Sequence, residues 1–175
     1  MLERLIFFLC AMSLFLHAHP HVFIDTKVEV KADSIRITWI FDEMSSSIIV
    51  SDYDKNKDKK LDAEEIAVME KEHFKTLANY SYFLHLFDGN KEYSLKKTSD
   101  FSASYNGKQL TYTYSIPKPP MKKYAMHFYD PEMYVALIIK KEFLSCQAPI
   151  QCRVEGYDAD YYYAYKVVVD EEGAK

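Results

Sequence analysis

Twelve residues, Asp54 to Glu65, read D-K-N-K-D-K-K-L-D-A-E-E and constrain the fold of this chain more than any other stretch. Oxygen-bearing side chains fall at loop positions one, three, five, nine and twelve, as Asp54, Asn56, Asp58, Asp62 and Glu65. That is the ligand spacing of an EF-hand calcium loop, in which the backbone carbonyl of position seven, here Lys60, adds a further ligand. A hard cation needs six or more oxygens converging from one short segment, and such a loop needs a helix on either side. Leu61 supplies the apolar residue at position eight, and Ile66 follows the closing glutamate. Position six departs from the pattern, because Lys59 stands where glycine is usual. A left-handed backbone there costs a non-glycine residue about 1 kcal/mol. Lys55, Lys57, Lys59 and Lys60 also bring positive charge into the loop. Both effects weaken calcium binding without abolishing it. The competing reading is a solvated turn of mixed charge that merely resembles the loop.

The flanks fit this requirement. Asp42 stands where a helix cap belongs, and Met44, Ile48 and Ile49 give the entering helix an apolar face. The exiting helix is predicted from about Asp62 to Asn79, with Ile66, Met69, His73 and Leu77 on one stripe. Outside residues 42–79 the pattern is that of strands. Val22–Val30 and Ser34–Phe41 alternate apolar and polar residues and form a hairpin through Lys31-Ala32-Asp33. Asp88-Gly89-Asn90 and Asn106-Gly107 are further hairpin turns, and Gln109–Ile116, Tyr124–Tyr129, Met133–Ile139 and Arg153–Val169 are β-like runs. The expected fold is α+β: an antiparallel β-rich domain with a helix–EF-hand loop–helix unit inserted at about 42–79. Abundant tyrosine and phenylalanine, 15 and 11 residues, suit a sheet-rich domain.

Residues 1–18 stand apart. A short charged start, the apolar run Leu5–Leu16 and the small residue Ala18 make a secretory signal peptide. The run falls short of the roughly 20 residues a membrane span needs. Residues 19–175 are then one mature domain, exported and periplasmic, with no stable membrane span. A net charge of −4 argues against nucleic acid as a partner. Cys146 and Cys152 remain in the mature chain, and in an oxidising compartment a disulfide closing that short loop is expected. A thiolate metal site is the poorer alternative, since no CxxC spacing is present.

Cleavage after Ala18 leaves His19-Pro20-His21 at the mature terminus. An amino nitrogen and two imidazoles favour nickel, copper, cobalt or zinc over calcium. Pro20 has no amide proton, so a square-planar backbone site is closed to this terminus. Further donors must come from elsewhere, and His127 and Asp130 are the candidates. His73 and His85 sit among hydrophobes and read as packed, hydrogen-bonded residues. The chain holds no recognisable nucleophile arrangement and no glycine-rich phosphate loop, so an enzyme is not expected.

H-P-H-V-F-I-D at His19–Asp25, W-I-F-D-E at Trp39–Glu43, the EF-like loop and Y-D-P-E-M-Y at Tyr129–Tyr134 together carry a resemblance. The chain resembles a bacterial exported family of unknown function, labelled the periplasmic component of an uncharacterised ABC-type transport system. Members of that family are often encoded beside nickel/cobalt permeases. The resemblance implies that His19 and His21 match the family's leading histidines and Asp130 its D-P aspartate. It implies transition-metal uptake or handling, with an inner-membrane metal permease or ABC-type transporter as partner. The expected function is therefore an exported metal-binding accessory protein, with one calcium site of mainly structural role. A calcium-stabilised envelope adaptor or recognition domain without a transition metal is the alternative.

Overall fold

A computed structural model describes residues 22–95, 97–159 and 163–172 of the chain. The two alternating N-terminal runs are strands with the predicted limits, β1 (Val22–Val30) and β2 (Ser34–Phe41). The helices α1 (Glu43–Tyr53) and α2 (Ala63–Glu72) follow, then a 3-10 segment, Phe74–Phe83. The remaining strands are β3 (Leu84–Asp88), β4 (Lys91–Ser94), β5 (Ser99–Tyr105), β6 (Leu110–Pro117) and β7 (Lys123–Phe128). They continue with β8 (Val135–Ile138), β9 (Leu144–Cys146), β10 (Gln151–Asp158) and β11 (Tyr163–Asp170).

Two sheets result. The first runs β5-β6-β2-β1-β8, with β9 also on β1, and the second runs β10-β11-β7-β3-β4. Alternation decides which residues they bury. In the first sheet Val28 lies opposite Ile37, which lies opposite Tyr114, and Thr26, Trp39 and Tyr112 form the next row. Every one of these side chains is buried. In the second sheet Leu86 and Val167 flank Met126, again on the buried face. Buried residues of both sheets belong to one hydrophobic cluster, so the sheets face each other across a single core. The turn chemistry also holds, since Asn106 Oδ1 accepts from Lys108 N and Gln109 N at 2.9 and 2.8 Å beside Gly107, whose φ is +92°.

The expected α+β class with an inserted helix–EF-hand loop–helix unit is overturned by this arrangement. The fold is β-rich and built on two mainly antiparallel sheets. Its helices are part of the common core: Val50 of α1 and Met69 of α2 lie in the same cluster as Trp39 and Tyr112. Nor does the exiting helix reach Asn79. α2 stops at Glu72, and the chain tightens before Ser81, Tyr82 and Phe83 take positive φ values of 52°, 53° and 55°. Each such residue costs about 1–2 kcal/mol, while burying an aromatic side chain returns about 2 kcal/mol. Phe74, Leu77, Tyr82 and Phe83 are all buried. Sealing the core with four side chains outweighs continuing a helical period.

Two departures complete the picture. Of the apolar face expected on α1, Met44 is 64% and Ile48 58% exposed and only Ile49 packs against the core, while Ser45, Ser46 and Val50 face in. Ser46 Oγ accepts from Leu110 N at 2.8 Å and donates to Phe41 O at 3.3 Å, so a small hydroxyl stitches α1 to the sheet where a larger side chain would not fit. The edge of β1 is paired in parallel, with β8 beside its first half and β9 beside its second. Cys146 and Cys152 are joined by the predicted disulfide, which ties β9 to β10 with 6.3 Å between the Cα atoms.

Candidate functional site

The loop between α1 and α2 is organised by its own carboxylates. Asp54 closes α1, its N–H bonding Val50 O at 2.8 Å. Its two side-chain oxygens accept from Asp58 N at 3.2 Å and Lys59 N at 2.9 Å, so the loop wraps around this one carboxylate. Asn56 Oδ1 accepts from Asp58 N at 2.9 Å and Asp58 Oδ1 from Lys60 N at 2.8 Å, two successive Asx turns. Lys57 and Lys59 take φ values of 61° and 62°. The strain predicted for a lysine at position six is therefore present, and position four shares it.

The far end is held by a capping box. Asp62 Oδ1 accepts from Glu64 N and Glu65 N, both at 2.9 Å, and Glu65 Oε2 accepts from Asp62 N at 3.0 Å. Glu65 Oε1 accepts from Lys55 N at 2.9 Å, which brings the closing glutamate to the start of the loop. Asp54 and Glu65 are 9% and 5% exposed, low for carboxylates, and their charge is met by backbone N–H groups. A depression of about 150 Å³ at the Glu65 end is lined by Lys55, Asn56, Asp62, Glu64, Glu65 and Val68. Among the described residues no three His, Cys, Asp or Glu side chains are drawn together as a formed metal site. The donors suit a hard cation in kind, all being oxygens, and gathering them requires the carboxylates to turn from the amides they now hold.

The transition-metal candidates lie elsewhere. His19 and His21 fall outside the described residues. Asp130 is buried in the turn after β7, where its carboxylate accepts from Glu132 N, Met133 N and Val135 N at 2.9–3.0 Å. This aspartate shapes the connection that delivers β8 to the edge of β1. His127 stands on the outer face of the second sheet, its Nδ1 2.8 Å from the hydroxyl of Tyr157. Burial lowers its pKa, helped by the charges of Lys166 and His85 and opposed by Glu92.

Register puts a second histidine beside it. His85 of β3 pairs directly with His127 of β7, and its Nδ1 donates to Glu92 Oε1 at 2.7 Å. The His85 ring stacks on Tyr129 with centroids 4.2 Å apart, and the His127 ring lies 4.6 Å from that of Phe87. The sequence marks this only as alternation: Leu84 and Leu86 point in, so His85 points out. His73 behaves as expected of a packed histidine, with Nδ1 2.9 Å from Tyr112 Oη and its pKa lowered by burial.

Residues 4–174 match the family described as Protein of unknown function (DUF1007). The chain belongs to that family. No curated protein matches it. Its DUF1007 fold carries a disulfide, as suits an exported protein, and among the described residues no helix is long and apolar enough to cross a membrane.

Proposed function

We propose that this DUF1007 protein is an exported, periplasmic metal-binding accessory protein that assists transition-metal uptake or handling. Nickel, cobalt, zinc and copper are the metals concerned, and an inner-membrane permease or ABC-type transporter is the partner. In this reading the loop Asp54–Glu65 takes one calcium ion through Asp54, Asn56, Asp58, the Lys60 carbonyl, Asp62 and Glu65. The observation that carries the calcium assignment is the pair Asp54 and Glu65, two carboxylates at opposite ends of the loop, both nearly buried and, among the described residues, both paired with backbone amides. Removing both from water is costly unless a cation or a full set of donors meets them. Bound calcium joins the end of α1 to the start of α2, so its role is to hold the helices against the core. The chemistry of the transition-metal site rests on nitrogen donors, which select borderline metals over calcium. No catalytic role is proposed.

Thermal unfolding with and without calcium tests the loop. The expected result is a rise in Tm with millimolar calcium, the range of extracellular calcium modules at about 10⁻⁴–10⁻³ M, and loss of that rise in Glu65→Gln. A calcium response of equal size in Glu65→Gln sinks the assignment.

One observation favours a second reading, a calcium-stabilised envelope adaptor without a transition metal. Phe23, Met44, Ile48, Met133 and Tyr134 are large hydrophobes left exposed. Phe23 adjoins the start of α1, since its N–H donates to Asp42 Oδ2 at 3.0 Å, and Tyr134 leads into β8, which pairs Val135 with Val22. Metal titration of the exported protein separates the two readings.

A further inference from the structure

We propose that His85 and His127 form a transition-metal site on the outer face of the second sheet, their two Nε2 atoms ligating one divalent ion of the zinc class with water completing the shell. The placement comes from the sheet. The two residues are directly opposed in the antiparallel pair β3–β7, where Cβ atoms on one face stand about 4.5–5.5 Å apart. That separation lets two imidazoles reach a common ion.

The ring orientations are set from the flanks. His85 Nδ1 is turned toward Glu92 on β4, and His127 Nδ1 toward Tyr157 on β10, which lies beyond β11. These partners sit on opposite sides of the β3–β7 pair. With both Nδ1 atoms bound on the flanks, the opposite edge of each ring, which carries Nε2, is left to ligate an ion over the gap between the strands. Neither Nε2 has a protein hydrogen-bond partner among the described residues.

Tautomer chemistry agrees. Glu92 accepts from His85 Nδ1, which leaves the lone pair on Nε2, as in carboxylate–histidine–zinc arrangements. Tyr157 fixes His127 in the same sense when its oxygen accepts from Nδ1. A metal takes the neutral imidazole, so binding at this site is expected to weaken as the pH falls. The nearby positive charge is partly neutralised, because Lys166 is paired with Glu155 at 2.8 Å. Tyr129 and Phe87 close the sides of the site with apolar ring faces. A pair of neutral imidazoles selects zinc, copper or nickel over calcium and magnesium.

The biological sense of this site rests on the metal-handling reading above. A protein that passes a metal onward needs a holding point that releases it, and two ligands with water bind more weakly than a closed four-ligand site.

The test is zinc titration by calorimetry, on the full exported chain carrying His19→Ala and His21→Ala, with calcium in excess. One zinc ion is expected per chain. His85→Gln and His127→Gln should each weaken it at least tenfold, and Glu92→Gln and Tyr157→Phe by about tenfold. In the unsubstituted chain, ¹⁵N imidazole spectra should show zinc-dependent shifts at Nε2 of both histidines, a readout that does not depend on any variant folding. Unmoved Nε2 resonances, or zinc affinity unchanged in both histidine variants, overturn the site. If zinc binds the chain with His19 and His21 intact but not the substituted one, this site fails while the metal-handling reading stands. Absence of zinc, nickel, cobalt and copper binding in both chains removes the two together.

Discussion

At the scale of single residues, this protein uses carboxylates as organisers of backbone. Asp42, Asp54, Asp62, Glu65 and Asp130 each gather amides from a neighbouring turn. For Asp42, burial raises the pKa, but hydrogen bonds from Ser45, Phe23 and Met44 outweigh it and hold the value below 3.8. Its contribution to stability is therefore complete above the unfolded-state value and is lost as the pH falls through the depressed one. Histidines add a second window. The folded-state pKa of His73 and of His127 lies below 6.5, so the unfolded chain takes up their protons first. Their contribution is complete above about pH 6.5 and declines as the pH falls below it. Urea unfolding at a series of pH values should thus show stability dropping as the pH falls below about 6.5. His73→Gln should flatten that slope, and an unchanged slope counts against a neutral buried His73.

At the scale of elements, a helix belongs to whichever face the core accepts. Periodicity alone made Met44, Ile48 and Ile49 the buried stripe of α1, yet the first two are exposed and Ser45 and Ser46 are buried. The reason is closeness. Ser46 Oγ reaches both Phe41 O and Leu110 N, contacts that need α1 to lie near β6 with a small residue between them. Leucine or methionine there would force the helix away. In α2 the apolar stripe and the core agree, because Met69 is fully buried. Met69→Ala should accordingly cost about 2–5 kcal/mol of unfolding free energy. Met44→Ala should change it by less than about 0.5 kcal/mol. Denaturant midpoints of the two variants check this, and equal losses would mean that α1 packs the other way.

At the scale of the whole molecule, the two sheets share one core, and the termini of strands are fastened by local devices. Thr26, Trp39 and Tyr112 run across β1, β2 and β6, and Trp39 meets Phe83 of the 3-10 segment at 5.8 Å. β1 carries the parallel edge made by β8 and β9, and the Cys146–Cys152 disulfide links that edge to β10 of the other sheet. Closing a loop with six residues of sequence separation is worth about 2 kcal/mol in the chain-entropy account. Cys146→Ser with Cys152→Ser should lower stability by about that amount in urea unfolding. A reduced wild-type chain as stable as the oxidised one would assign the bridge no structural role.

What was legible in the sequence was what neighbours in sequence decide. Alternation gave β1 and β2 their limits, and Asn106-Gly107 marked a hairpin. Each of these depends on bonds spanning a few residues, so local pattern suffices. The end of α2, the buried face of α1, the parallel edge of β1 and the meeting of His85 with His127 were settled only by tertiary structure. Those outcomes depend on which distant strand lies alongside and how closely, and a single sequence without its fold holds no local signal for either.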